Sequence, residues 1–185
     1  MHKSRESIDQ QQAEMEIMTK RSLRFSTYFP VGHPKAGQKT FFAEKFYNAL
    51  SNHNWDNLPI PQEIYHQLSQ GLVGKKYHTI RQGNRIMVGD KVKICIWEGR
   101  PYHSRQITIH PGVMIKQIWH FETDGTVYKI NGRVLTRQGI THLALSDGLT
   151  PANFTAWFNK PFKGQIVCWS HVVNYENEKS MDYVE

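Results

Sequence analysis

The feature that most constrains the fold is a change in hydrophobic periodicity close to Lys76. Beyond this residue, apolar residues alternate with polar ones or form short apolar runs, which is typical of strands. Glycine, proline and aspartate separate the runs, and Asn131-Gly132 is the pair that most strongly indicates a two-residue hairpin turn. We therefore predict strands within residues 77–81, 91–99, 105–110, 113–122, 127–135 and 164–173. An earlier strand is predicted within residues 23–30 and ends at Pro30.

Apolar residues have helical spacing in the segment before Lys76 and again between the last two predicted strands. We predict helices over residues 40–50, 61–70, 136–147 and 150–158. Thr40 and Thr150 are suitable N-cap residues, and Gly148 is a suitable residue to end the third helix. The pattern predicts an α+β fold, namely a small β-barrel with peripheral helices and an N-terminal helical extension.

The bulk composition excludes several classes of protein. The 185 residues suit one domain with an added terminal element, and no apolar run approaches the roughly 20 residues of a membrane span. The N-terminal residues lack the apolar stretch of a signal peptide, so we expect a cytoplasmic protein without membrane contact. Cys95 and Cys168 lie in apolar runs and are expected to be buried thiols.

The sequence contains no motif that would predict a metal or another cofactor. Ten histidines are present, but their spacing matches no zinc motif, and we expect them to be structural. A phosphate-binding loop and a serine nucleophile elbow are also missing. We therefore expect no cofactor.

Positive charge is concentrated in one part of the chain. The net charge is +7, and residues 71–105 carry eight Lys and Arg against two acidic residues. Such a cluster is typical of a protein that binds a polyanion, although an ordinary solvated face has the same composition. The candidates for contacts with nucleic acid are Lys75, Arg81, Arg85, Lys91, Lys93 and Arg105.

Lys76 and Thr79 form a candidate pair within this cluster. In an extended strand, residues three apart point to opposite faces and lie about 10 Å from each other. The two side chains can converge only if Lys76 lies in a turn, which Gly74 permits. A desolvated lysine could then act as the base that activates the Thr79 hydroxyl. The alternative is a solvated lysine beside an ordinary strand threonine.

The run "GKKYHTIR", followed by "VGDKV", resembles the signature of the ASCH domain family. The later segment "LALSDGLTPANFTAWF" is similar to a helix-loop-helix of that family. The resemblance covers about residues 72–171 and implies a PUA-like barrel. It divides the chain into an arm (1–22), an N-terminal strand and helices packed on the barrel (23–71), the ASCH domain (72–175) and an acidic tail (176–185).

The resemblance implies two functions, which stay open beside a role in protein interaction. The first is binding of RNA or a nucleotide, including a modified base, with Tyr77, Trp119 and Trp169 as candidates for base stacking. The second is hydrolysis of N4-acylated cytidine by Lys76, Thr79 and Asp147. Asp147 stands where the hydrolytic subgroup has glutamate, a departure that shortens the acid by one methylene group.

The role of the N-terminal segment is a separate question. Residues before 72 either cap a sheet edge or form a wall of the binding pocket. Their helices are rich in phenylalanine and tyrosine, which pack more often than they recognise ligands. We therefore favour the capping role.

Overall fold

The computed structural model describes residues 21–50, 60, 62, 64, 66, 74–99 and 103–176. Most of the predicted N-terminal arm and of the second predicted helix lie outside these residues. So does the acidic tail, apart from its first residue.

The described residues form a mixed α+β structure, as the sequence predicts. The strands are β1 (Arg21–Phe25), β2 (His78–Gln82), β3 (Lys91–Trp97), β4 (Gln106–Met114), β5 (Gln117–Thr123), β6 (Tyr128–Ile130), β7 (Arg133–Val134) and β8 (Phe162–Cys168). The helices are α1 (Phe42–Leu50), α2 (Arg137–Ser146) and α3 (Pro151–Trp157).

Hydrogen bonding divides the strands into two sheets. One sheet has the order β1-β3-β4, and the other has the order β2-β8-β5-β6-β7. Strand β1 runs parallel to β3, whereas every other pair of neighbouring strands is antiparallel. Within the described residues the two sheets do not close into the barrel that was expected.

The predicted strand over residues 113–122 is divided between the two sheets. The backbone N–H of Ile115 bonds to the carbonyl of Asp90, next to the three-stranded sheet. The N–H of Lys116 bonds to the carbonyl of Cys168, at the end of the five-stranded sheet. The chain therefore passes from one sheet to the other between β4 and β5.

Local sequence signals explain the hairpin and the two later helices. Asn131 and Gly132 have φ angles of 49° and 80°, the left-handed pair that a tight hairpin turn requires. The hydroxyl of Thr136 accepts a hydrogen bond from the Gly139 N–H, and the hydroxyl of Thr150 caps α3 in the same way. These predicted elements are confirmed.

The N-terminal segment shares one hydrophobic core with the later strands. The ring of Phe46 in α1 packs against Phe25 of β1 and against Trp169, which follows β8. Tyr47 of α1 is fully buried and donates a hydrogen bond to the carbonyl of Ile109 in β4. Helix α1 is therefore part of the core.

None of the described helices is both long enough and apolar enough to cross a lipid bilayer.

Candidate functional site: a lysine-lined cavity beside a buried ion pair

A cavity of about 640 Å³ lies where the N-terminal segment meets the end of α2. One wall comes from residues 29–45, between β1 and α1 and in the first turn of α1. Residues 74–77 supply a second part of the lining, and residues 142–153 with 172–173 supply the rest. The volume is within the usual range of about 300–1,000 Å³ for pockets that bind small ligands.

The charge of the cavity lining is positive. Four lysines line it, and none of the described lining residues is acidic; the lysines are Lys35, Lys39, Lys45 and Lys75. Four aromatic rings also line the cavity, those of Phe29, Phe41, Tyr77 and His142. Ammonium groups beside exposed apolar and aromatic surface suit a ligand that has an anionic group and a planar ring.

Lys45 joins α1 to the end of α2. Its Nζ donates hydrogen bonds to the carbonyls of Thr40, at 2.9 Å, and of Gly148, at 2.8 Å. Burial lowers the pKa of Lys45. A Cβ added at Gly148, which has a φ of 78°, would lie 3.1 Å from the Lys45 side chain. Glycine therefore allows the close approach that fixes this lysine in the cavity wall.

A buried ion pair lies directly beside the cavity. The Nζ of Lys76 is 2.6 Å from Oδ1 of Asp147 and 2.7 Å from the carbonyl oxygen of the same residue. It also lies 4.1 Å from the centre of the Phe42 ring. Burial lowers the pKa of Lys76 to about 8, although Asp147 opposes the effect. Lys76 is therefore mainly a cation at neutral pH.

His78 and Tyr175 extend this cluster as neutral groups. Nε2 of His78 is 2.8 Å from the Tyr175 hydroxyl, and Nδ1 is 3.5 Å from Oδ1 of Asp147. The second distance is long for a hydrogen bond. Burial lowers the pKa of His78 and raises that of Tyr175, so both side chains are uncharged at neutral pH.

The structure brings Lys76 and Asp147 together but does not join Thr79 to them. Within the described residues, no hydrogen bond links the Thr79 hydroxyl to either side chain. The reason is strand geometry, because His78 and Thr79 are neighbours in β2 and their side chains point to opposite faces. His78, which we expected to be structural, takes the position beside Asp147.

The residues predicted to contact nucleic acid are divided between several surfaces. Only Lys75 lines the cavity. Arg81 donates a hydrogen bond to the carbonyl of Arg24 in β1, and Arg105 lies 3.7 Å from Glu98. The remaining three are Arg85, in the exposed turn after β2, and Lys91 and Lys93, both on β3.

Two of the three predicted stacking residues are core residues, which corrects that expectation. Trp119 is 2% exposed and packs edge-on against Tyr175, and Trp169 is 5% exposed and packs against Phe46. Large aromatic rings in strands facing a core lose contact with solvent. Tyr77 alone of the three lines the cavity.

The N-terminal segment contributes cavity residues that were not predicted from the sequence. Lys35, Lys39, Lys45 and Phe41 all line the cavity, so this segment supplies a pocket wall. It also extends a sheet edge, because β1 pairs with β3. The favoured capping role was therefore incomplete. The only signal available was the paired lysines of "GHPKAGQK", which no local motif connects to the later strands.

Comparison of the chain with protein-family models, with curated proteins and with solved structures finds no match. Within the described residues, no group of three or more His, Cys, Asp or Glu side chains is placed to hold a metal ion.

Proposed function

We propose that the cavity binds a nucleotide, either free or as part of an RNA chain, with its phosphate against the lysines. The observation that carries this proposal is the lining itself, in which four lysines and four aromatic rings surround about 640 Å³. Under this proposal the chain is an ASCH-like domain, and its two sheets correspond to the halves of a PUA-like barrel. The N-terminal segment then supplies most of the cationic wall.

The distribution of charge supports this cavity over a diffuse basic surface. Lys35, Lys39 and Lys75 approach one space from two separate segments of the chain. By contrast, Arg105 is next to Glu98, which offsets its charge. A ligand phosphate in the cavity would meet several cations at once, and hydrogen bonds to charged groups are the stronger ones.

The first prediction compares two double variants that remove the same charge. Lys35→Ala with Lys39→Ala is expected to weaken binding of a short single-stranded RNA or of nucleoside 5′-monophosphates roughly tenfold, because two ammonium contacts are lost. Lys93→Ala with Arg105→Ala should change affinity less than about twofold, since neither residue lines the cavity. Isothermal titration calorimetry at two salt concentrations would measure both.

Two results would contradict the proposal. One is an equal loss of affinity in both double variants, which would assign binding to the general surface charge. The other is wild-type affinity that is undetectable or independent of salt, because phosphate contacts release counterions.

A second candidate function, hydrolysis of N4-acylated cytidine, is favoured by the Lys76–Asp147 pair. A lysine with a pKa of about 8 is partly unprotonated under mildly alkaline conditions and can then act as a base. In this mechanism neutral Lys76 removes the proton of Thr79, Thr79 attacks the acyl carbonyl, and that proton passes from Lys76 through the Asp147 carboxylate to the departing amine of cytidine. Water then hydrolyses the acyl-Thr79 ester and releases the acid. The mechanism requires movement that brings the Thr79 hydroxyl to Lys76.

The second prediction tests this reaction directly. If the protein is a hydrolase, N4-acetylcytidine should yield cytidine and acetate, and the rate should rise with pH through about 8 as Lys76 loses its proton. Thr79→Val should abolish turnover while the protein remains folded. Chromatography of the nucleosides measures the reaction, and the absence of product at high protein concentration would exclude it.

A further inference from the structure

Phe41 has an unfavourable backbone conformation for its residue type. Its φ angle is 57°, in the left-handed region that a bulky aromatic residue rarely adopts. Such outliers persist only where the surrounding structure imposes them, and they cluster at ligand-binding sites. Only one other described residue besides glycine has a positive φ, namely Asn131 of the hairpin turn, a residue type that tolerates it.

Phe41 lies at the start of α1. The carbonyl of Phe41 accepts a hydrogen bond from the Lys45 N–H at 3.0 Å, so Phe41 occupies the N-cap position. The preceding residue, Thr40, is fixed through its hydroxyl, which donates to the carbonyl of Ser26 at 2.6 Å. Serine, threonine, aspartate, asparagine and glycine are the residues that favour an N-cap. Phenylalanine is therefore unfavourable at this position for two reasons, the positive φ angle and the N-cap position.

The core does not account for the choice of phenylalanine. Phe42 and Phe46 of α1 are 6% and 0% exposed and supply the buried rings of this region. Phe41 is 39% exposed, and within the described residues no other aromatic ring packs on it. Its side chain lines the lysine-lined cavity and also a smaller neighbouring cavity of about 240 Å³.

We propose that Phe41 recognises the planar base of the ligand by stacking on it. The inference rests on the proposed function and adds to it the residue that recognises the base of the nucleotide. The residue is accessible, lies in the same wall as Lys39 and Lys45, and occupies a position where glycine would be free of strain. Tyr77 is a second accessible ring of the cavity.

The strained φ angle separates a recognition role from a structural one. Phe41→Gly removes the ring and also relieves the backbone, whereas Phe41→Ala removes the ring and keeps the strain. Because glycine relieves the strain, the glycine variant should melt at or above the melting temperature of the alanine variant. If Phe41 recognises a base, both variants should nevertheless lose affinity equally. Phe41→Trp should retain affinity, since it keeps a stacking ring.

The binding experiment uses the four nucleoside 5′-monophosphates, with ribose 5-phosphate as the probe that lacks a base. Wild-type protein should bind at least one nucleotide more tightly than ribose 5-phosphate. Phe41→Gly should reduce that preference at least about fivefold, as expected for loss of base stacking, and leave ribose 5-phosphate unaffected. Val31→Gly is the matched control, because Val31 is fully exposed on the same segment and does not line the cavity.

Each outcome bears on a different claim. Binding of nucleotides that Phe41→Gly leaves unchanged would overturn the role of Phe41 and leave the proposed function standing. Equal binding of nucleotides and ribose 5-phosphate by the wild-type protein would overturn base recognition and keep only an anion site. Failure of the wild-type protein to bind any of these probes or a short RNA would overturn the proposed function and this inference with it.

Discussion

Replacing Asp147 with asparagine is expected to lower the free energy of unfolding by about 3–5 kcal/mol, because it leaves a buried ammonium without its anionic partner. Lys76 is only 1% exposed, and its Nζ makes both of its hydrogen bonds to Asp147. The aromatic face of Phe42 provides weaker compensation than a carboxylate. Urea denaturation at pH 7, followed by circular dichroism, would measure the loss.

The matched controls are Lys76→Met and the double variant with both substitutions. Lys76→Met alone leaves the buried carboxylate uncompensated and should also be destabilising. The double variant buries no isolated charge, so its loss should be smaller than the sum of the two single losses by more than about 1 kcal/mol. Additive losses would contradict the ion pair as a coupled unit.

The same pair predicts how stability depends on pH. Burial alone would raise the pKa of Asp147, but the neighbouring Lys76 and His78 outweigh it, and the pKa is lowered from its ordinary 3.8. The stabilising contribution of Asp147 is therefore present above about pH 3.8 and is lost as the pH falls through the lower pKa of the folded protein. Asp147→Asn should lack this acid-dependent loss.

The lowered pKa of Lys76 corresponds to a cost in stability, whereas that of Asp147 corresponds to a gain. The pKa of Lys76 falls from 10.5 in the unfolded chain to about 8 in the folded protein, so the unfolded chain binds more protons between these values. The cost of holding the charged lysine is present below about pH 8 and is relieved as the pH rises towards 10.5. Lys76→Met should remove that rise, which a comparison of unfolding curves at pH 7 and pH 10 would detect.

Replacing Phe46 with alanine is expected to lower the free energy of unfolding by about 3–5 kcal/mol, because it leaves a cavity where α1 meets the core. The ring is fully buried and packs on Phe25, Tyr47 and Trp169. Phe25 and Trp169 lie in two parts of the chain outside α1, so the surrounding residues cannot collapse easily into the space. Thermal or urea denaturation would measure the change.

Phe46→Leu is the matched control, since it retains apolar volume and should cost less than the alanine variant. A single unfolding transition is expected in both variants, in which α1 and both sheets, including β1, unfold together. A loss below about 1 kcal/mol, or an early separate transition of the N-terminal segment, would show that this segment is not part of the common core.

The elements that the sequence predicted correctly are those with local causes. The hairpin at Asn131-Gly132 depends on two adjacent residues that tolerate a left-handed backbone. Helix α3 begins as predicted because Thr150 and Pro151 act within one turn of its start. The N-cap of α1 lies one residue later than expected, at Phe41 and not at Thr40, and the helix begins at Phe42.

The site could be predicted only in part, because its residues come from distant segments. Lys76 and Asp147 were expected to act together, but only on the basis of a family resemblance. Strand alternation already indicated that Lys76 and Thr79 would point to opposite faces of an extended strand unless Lys76 lay in a turn. The contribution of Lys45 depends on its bond to the Gly148 carbonyl, about a hundred residues further along the chain, and no local pattern predicts such a contact.

The parallel pairing of β1 with β3 has a consequence for how the chain folds during synthesis. Arg21 is opposite Val92, so the partner that β1 has among the described strands follows about 70 residues later. At about 5–20 residues per second, this leaves β1 waiting roughly 4–14 s for that partner. Until then Leu23 and Phe25, which are buried in the finished protein, lack their sheet. The segment that carries Lys35, Lys39 and Lys45 is therefore made well before the strand that fixes its preceding strand in a sheet.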